Sequence, residues 1–370
     1  MIIDTTLREG AQAHGVYLSE QDRMGILRGL EATGVREAEA GWAGQDELAQ
    51  TLALGAQVAP QLKLAVWCRC RTDDLDVAVR AGARRVHVGV PASDAHRTLR
   101  LGLDRQQLLV RVGNVLDHAR RLDVRHVTLG LEDAGRADPA FLEVLARKAV
   151  LHGAHRLRCS DTVGVLTPDG LMRLVLGLRR TFGGPVAVHC HNDLGLATAN
   201  ALAALDGGAD AADASLLGLG ERAGITRLEE LVAALVVLRG HGYSLAAVRS
   251  ACLDVAKAVG MSIPRHWPVA GESLFAVESG VHLHGVARDP SLFELYPPEM
   301  VGTTRRLDAG AKSGVAGVAQ LAARMGLAVP ACDLQRHVGA VRDRARALGR
   351  PLTEAELAHT LTTATMGAHS

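Results

Sequence analysis

His189 and His191 stand two residues apart at the end of an apolar run, Val186-Ala187-Val188-His189-Cys190-His191. In a strand, residues i and i+2 point to the same face, so both imidazoles look the same way. Asn192, Asp193 and Gly195 then end the strand. Two histidines aimed together at a strand terminus suit a metal ion; they also suit a hydrogen-bonded pair in a core. A second run, Asp4-Thr5-Thr6-Leu7-Arg8-Glu9-Gly10, closes the first strand with a carboxylate, Glu9. Two imidazoles and one carboxylate make a facial ligand set with open positions for substrate. The competing reading is that Arg8 and Glu9 belong to surface ion pairs.

A cation held this way suits a 2-oxo acid. The keto oxygen and carboxylate fill two open positions, and the ion polarises the keto carbon. Arg8 can then stabilise charge growing on that oxygen. Thr162, after Asp161, can hydrogen-bond the substrate carboxylate, or simply sit in an Asp-Thr turn. Oxygen and nitrogen ligands leave Mg, Mn, Zn, Co and Fe open as the metal.

The elements that must position these residues alternate regularly. Strands are expected near 2–7, 36–41, 62–69, 85–91, 126–132, 156–161, 186–191 and 211–217. Helical patterns separate them, among them Glu20 to Thr33, Asp104 to Arg121 and Pro168 to Phe182. Several have Ser, Thr, Asp or Pro near the start, and Gly34, Gly82, Gly153 and Gly207 follow helices, as a left-handed cap prefers. Eight βα units of this length predict a (β/α)8 TIM barrel, with an open doubly wound sheet as the alternative. Charged and polar residues fall where strands end: Arg8-Glu9, Arg69 and Arg71, Ser93-Asp94, Glu132-Asp133, Asp161-Thr162, His189 to Asp193, and Gly218 to Arg222. In a barrel all these ends converge on one face, where active sites sit.

The expected organisation is a catalytic barrel over 1–258, a lid/linker subdomain over 259–312 and a short C-terminal helical region over 313–370. Leu228 to Val259 continues the helical pattern. Residues 260–310 are rich in Pro and Gly and contain Glu278-Ser279-Gly280-Val281-His282-Leu283-His284-Gly285.

Composition excludes several classes. Among 370 residues the net charge is +1 and aromatics are 3%, so no nucleic-acid partner is expected. No apolar run approaches the ~18 residues of a membrane span, and Met1-Ile2-Ile3 enters a strand directly, with no signal-peptide pattern. The six cysteines lack a disulfide framework's spacing. Together these predict a cytoplasmic protein with reduced thiols.

Leu7-Arg8-Glu9-Gly10-x-Gln12, with His189-x-His191-Asn192-Asp193-x-Gly195-x-Ala197, resembles the isopropylmalate/homocitrate synthase family of DRE-TIM metalloenzymes. Gly218-Leu219-Gly220-Glu221-Arg222-Ala223-Gly224 matches that family's loop after the eighth strand, and Glu278 to His282 its lid motif. Within the family the chain is most similar to the homocitrate synthases of nitrogen fixation, through Val66-Trp67-Cys68-Arg69, Pro91-Ala92-Ser93-Asp94, Gly130 to Asp138 and Arg156 to Thr162. The resemblance implies an acyltransferase that condenses acetyl-CoA with 2-oxoglutarate and water, giving homocitrate and CoA. It implies that Glu9, His189 and His191 hold the divalent metal and that Arg8 stabilises the developing alkoxide. It also implies a homodimer whose lid reaches over the partner's barrel and contributes His282. His282 is then the candidate base for the acetyl methyl, with Glu132 as an assisting carboxylate. Gly218, Gly220 and Gly224 would let backbone approach acetyl-CoA, although taken alone a tight turn explains them better.

Four positions depart from the family pattern. Ile225 stands where asparagine is common, and Val277 and His284 replace a histidine and an aspartate of the lid motif. Thr128 occupies the position of the arginine that lysine-pathway enzymes use for the distal carboxylate of 2-oxoglutarate. Arg69 or Arg71 is the expected replacement, because a buried dicarboxylate needs a cation. The rival readings are the same reaction on another 2-oxo acid (2-isopropylmalate, citramalate or citrate synthesis), a lyase, a metal hydrolase, a two-His-one-carboxylate iron oxygenase, or a barrel that binds without catalysing.

Overall fold

β1 (Ile2–Asp4) pairs in parallel with both β2 (Glu37–Trp42) and β8 (Ala211–Ala214), and so closes a barrel of eight strands in chain order. The strands between are β3 (Lys63–Arg69), β4 (Arg85–Pro91), β5 (His126–Glu132), β6 (Arg156–Asp161) and β7 (Val186–Cys190). The computed structural model describes residues 1–330 and 332–366. They divide into two compact units, Met1–Ile263 and the described residues from Pro264 on.

In the first unit, helices follow the strands: α1 (Glu20–Thr33), α2 (Leu48–Val58), α3 (Thr72–Arg80), α4 (Arg105–Arg121), α5 (Pro139–Leu151), α6 (Pro168–Phe182), α7 (Ala197–Asp206) and α8 (Leu228–Arg239). Their ends obey local chemistry. Ser19 and Asp22 form a reciprocal capping box on α1, as Asp104 and Gln107 do on α4, which satisfies backbone N–H groups the helix cannot. Gly34 ends α1 with φ of 90°, a conformation that glycine enters without a Cβ penalty. After α7 the positive φ belongs to Gly208 (94°), not to the expected Gly207 (−71°).

Three expected boundaries move, each for a visible reason. β1 stops at Asp4 because the Asp4 carboxylate accepts from the Thr6 N–H (2.8 Å) and the Thr6 hydroxyl (2.9 Å) and turns the chain. β8 stops at Ala214, since Leu217 adopts φ of 59° in a short 3-10 turn. The helical stretch expected from Leu228 to Val259 is broken by Gly240 in the left-handed region and resumes as α9 (Leu245–Ala258).

The barrel interior is unusually polar. Glu39 on β2 bonds His87 on β4 (2.6 Å) and Arg158 on β6 (2.8 Å), and Arg158 bonds Asp213 on β8 (2.9 Å). None of these strands is a neighbour of its partner in the sheet, so the bonds cross the inside. The interior is thus a connected set of polar and ionisable groups, where an unpaired member would carry a heavy desolvation penalty.

The second unit contains a two-stranded parallel pair, β9 (Ala276–Val277) and β10 (Arg306–Leu307). Its helices are α10 (Gly280–Arg288), α11 (Val315–Arg324), α12 (Leu334–Leu348) and α13 (Glu354–Met366). Leu283 of α10 is buried with Val318, Leu321, Val338, Val341, Leu357 and Leu361. Leu283 and Ala309, from the segment 259–312 expected as a lid/linker subdomain, are thus buried in one core with the C-terminal helices. Among the described residues no helix is long and apolar enough to cross a membrane.

Candidate metal centre

β7 delivers His189 and His191 to its C-terminal end, and the turn after β1 delivers Glu9. Both strands end on the same rim, and the three side chains are almost fully buried: 4% exposed for His189, 6% for His191 and 4% for Glu9. One donor atom from each lies within 4.8 Å of the others. His189 Nε2 is 3.9 Å from Glu9 Oε2, and His191 Nε2 is 3.9 Å from Glu9 Oε1. The two imidazole rings lie with centroids 5.1 Å apart and planes crossing at 71°.

The protonation states suit a cation. His189 Nδ1 sits 2.9 Å from Asp213 Oδ2. A carboxylate there accepts a hydrogen bond from Nδ1–H and leaves the Nε2 lone pair facing Glu9. Burial, then the neighbouring His189, lowers the pKa of His191 to about 3, so its imidazole is neutral, as a metal ligand's must be. Burial pushes the Glu9 carboxyl up, but Arg8 and then the two histidines outweigh it and hold it below its usual value. Glu9, Glu39 and Asp213 face two guanidiniums, Arg8 and Arg158, through direct bonds. Counting these carboxylates and guanidiniums alone, one negative charge is left over in a buried site, and a divalent cation would compensate it. These residues therefore fit a divalent metal.

Arg8 is 6% exposed. Its Nε donates to Glu39 Oε2 at 2.6 Å, its Nη1 pairs with Glu9, and its guanidinium lies 5.9 Å from the Trp67 ring. A guanidinium fixed on two sides beside a ligand can meet charge developing near the metal without reorganising. Thr162 Oγ1 accepts from the Asp133 N–H at 2.8 Å, which leaves its own proton to donate. The Thr162 carbonyl accepts from Arg222, whose guanidinium also grips Asp193 at 2.9 and 3.0 Å. Arg222 thereby ties the loops after β6, β7 and β8 together.

Other expected residues have different surroundings. Glu132 is paired with Arg100 and lines a cavity of about 990 Å³ with Trp67, Gly89, Arg69 and Arg71. Arg69 is held by both oxygens of Asp74 at 2.9 Å, and Arg71 pairs with Asp73 at 2.9 Å. Their side chains are 60% and 53% exposed, so neither is the buried, uncommitted cation the sequence called for. Gly218, Gly220 and Gly224 are buried rather than open to a ligand. A Cβ on Gly224 would strike the Gly218 carbonyl oxygen at 2.0 Å, and one on Gly220 would press on the Glu9 side chain at 3.2 Å. Glycine is required there by the loop's own packing. His282 lies in the second unit, exposed on α10, with its ring edge-on to Phe293 at 4.5 Å. It borders a cavity of about 390 Å³ with Glu278, Ser279 and Lys312.

Asp213 and Arg158 were missed as site residues. The signal was present: a carboxylate between alanines in Ala211-Ala212-Asp213-Ala214, and two arginines at alternate positions of Arg156-Leu157-Arg158. Inside apolar strands, such residues must be paired.

Residues 1–258 match the HMGL-like family, and residues 269–348 match the domain described as homocitrate synthase post-HMGL domain-like. The chain belongs to the HMGL-like family. It is 40% identical to the homocitrate synthase of Frankia alni, over 85% of this chain and 90% of that one. It is 36% identical to homocitrate synthase 1 of a Nostoc species, over 96% and 95%. A Methanoculleus marisnigri protein named for (R)-citramalate synthase is 38% identical over 96% of this chain and 70% of its own length. The HMG-CoA lyase of Brucella melitensis superposes with a TM-score of 0.62 at 20% identity, covering 70% of this chain and 98% of that one, which is a likeness of fold. A family member with relatives of this kind over nearly its whole length is an enzyme, and divalent-metal dependence is the family's property that the Glu9, His189 and His191 cluster accommodates.

Proposed function

We propose that this enzyme condenses acetyl-CoA with 2-oxoglutarate and water to give homocitrate and CoA, in the manner of the nitrogen-fixation homocitrate synthases. The observation that carries the reading is the facial set Glu9, His189 and His191 with Arg8 fixed beside it, in a chain 36–40% identical to two homocitrate synthases. A divalent cation (Mg, Mn, Zn or Co) held by the three ligands supplies Lewis acidity to the 2-oxo group. Arg8 stabilises the negative charge that grows on the keto oxygen. Thr162 donates its hydroxyl proton to the adjacent carboxylate. His282, from the lid of a partner subunit in a homodimer, takes a proton from the acetyl methyl, and Glu132 assists it. Acetyl-CoA approaches along the loop 218–224, which packs against Glu9. The domain plan that serves this is a catalytic barrel over 1–258, a lid over 259–312 and the helices after it, in a cytoplasmic enzyme.

The citramalate-named relative favours a second reading, the same chemistry on a shorter 2-oxo acid. Release of free CoA from acetyl-CoA, with Mn²⁺ or Mg²⁺ and a panel of 2-oxo acids, separates the two. Preference for 2-oxoglutarate, abolished by a chelator, is expected. Preference for pyruvate, 2-oxoisovalerate or oxaloacetate overturns the substrate, and no turnover with any of them overturns the reaction.

A further inference from the structure

We infer that Glu229, at the start of α8, is a positioning residue for Glu9, acting through a left-handed turn at Leu217. This rests on the reading of Glu9, His189 and His191 as metal ligands, and identifies what fixes the backbone behind the carboxylate of that set.

Leu217 has φ of 59° and ψ of 14°. Its Cβ makes that conformation costly, and glycine or asparagine is the usual occupant. A residue so placed persists only where its surroundings hold it. Two buried side chains do so here. The Leu217 N–H donates to Glu229 Oε2 at 3.0 Å, and the Leu216 N–H donates to the Thr6 hydroxyl oxygen at 2.9 Å. Glu229 is fully buried, and Cys252 Sγ of α9 lies 3.6 Å from the same Oε2. Its place in the first turn of α8 is one where the helix dipole favours a carboxylate. Without that acceptor the Leu217 N–H would be buried and unpaired, so nothing would offset the cost of the left-handed turn.

The turn leads directly to the metal centre. Gly218 follows with φ of 67°, and its N–H closes the turn on the Ser215 carbonyl at 3.0 Å. The next two residues meet the stretch that carries the ligand. A Cβ on Gly10 would lie 3.2 Å from Leu219 Cβ, and one on Gly220 would lie 3.2 Å from Glu9 Cγ. Backbone at 219–220 is thus packed tightly on Glu9 and Gly10, only three residues from the N–H that Glu229 holds. If Leu217 relaxed out of the left-handed region, the peptides on both sides of it would rotate. The surface on which the Glu9 side chain rests would then move, and close-packed contacts transmit such a shift. Glu229 touches neither metal ligand nor reacting atoms; it acts through Leu217.

The test measures the calorimetric Kd of Mn²⁺ in the full-length chain. The variants are Glu229→Met, which keeps an unbranched side chain but removes the acceptor, and Leu217→Gly and Leu217→Ala, each with and without Glu229→Met. Glu229→Met is expected to weaken Mn²⁺ about tenfold, the low end of the range for groups that orient metal ligands. Glycine enters the left-handed turn unaided and alanine does not. Leu217→Gly is therefore expected to cut the cost of Glu229→Met to about twofold or less, while Leu217→Ala leaves it near tenfold. Both replacements remove the buried leucine side chain, so a general loss of packing would make them behave alike. If wild type binds Mn²⁺ but Glu229→Met binds it equally well, or if glycine and alanine relieve the loss to the same extent, the role of Glu229 is overturned and the metal centre stands. If wild type binds no Mn²⁺, both fall. A Glu229→Met chain that folds only together with Leu217→Gly supports the role, and one that folds with neither replacement overturns it.

Discussion

His189 and Asp213 are joined by a buried hydrogen bond of 2.9 Å, from the ring nitrogen that faces away from Glu9. The bond fixes which nitrogen of His189 carries the proton, and so which one is free to bind a cation. Asp213→Asn can present its NH2 to Nδ1 and reverse that assignment. Metal affinity is expected to fall roughly 10- to 100-fold, as for other partners of metal-bound histidines. Competition with a chelating dye checks this; unchanged affinity would detach Asp213 from the metal centre.

Arg8 is held by Glu39 and Glu9 and is the guanidinium nearest the cluster by direct bonding. Arg8→Lys keeps a charge but loses the two-sided grip. The expected result is a kcat lower by about 10²–10³, the range found when a preorganised donor to a developing oxyanion is removed, with metal stoichiometry unchanged. A kcat within a few-fold of wild type would argue against oxyanion stabilisation by Arg8.

His282 and Glu9 sit on different compact units of the chain. If the lid serves the partner's barrel, Glu9→Gln and His282→Gln chains are each inactive alone. Mixed and allowed to exchange subunits, they should recover about a quarter of wild-type activity, since half of the dimers then carry one complete site of two. No recovery under conditions of proven exchange would place both residues in the same subunit's site, or His282 outside it.

Asp4 is fully buried, and that burial, only partly offset by its bonds to Thr6, raises its pKa to about 7 from 3.8. Below about pH 4 the folded and unfolded chains both hold this proton, and it has no effect on stability. From there to about 7 the unfolded chain releases the proton first, so stability falls as pH rises; above about 7 the full penalty is present. Melting temperatures between about pH 5 and 9 should therefore decline more steeply for wild type than for Asp4→Asn. Parallel curves would show that Asp4 does not titrate in this range.

Much of the site was legible because it obeys one-dimensional rules. The spacing of His189 and His191 fixes their common face, and the repeat of strands and helices brings Glu9 to the same rim. The cation for a second carboxylate was sought among arginines at strand ends, where Arg69 and Arg71 stand. Those two neutralise the nearby Asp74 and Asp73, a local pairing that spacing alone does not reveal. The glycines of 218–224 were legible as a motif, but their reason, close approach within the loop and against Glu9, is a fact of three-dimensional packing.

By itself the sequence determined the barrel, the face on which its strands end, and the candidate ligand set, because periodicity and residue type act through the local backbone. Only the tertiary structure decided which charges meet. Glu39, His87, Arg158 and Asp213 come from four strands separated by scores of residues, and closure of the sheet puts them within hydrogen-bond distance. In that dry interior each group's state is set by its neighbours across the barrel rather than by its neighbours in the chain.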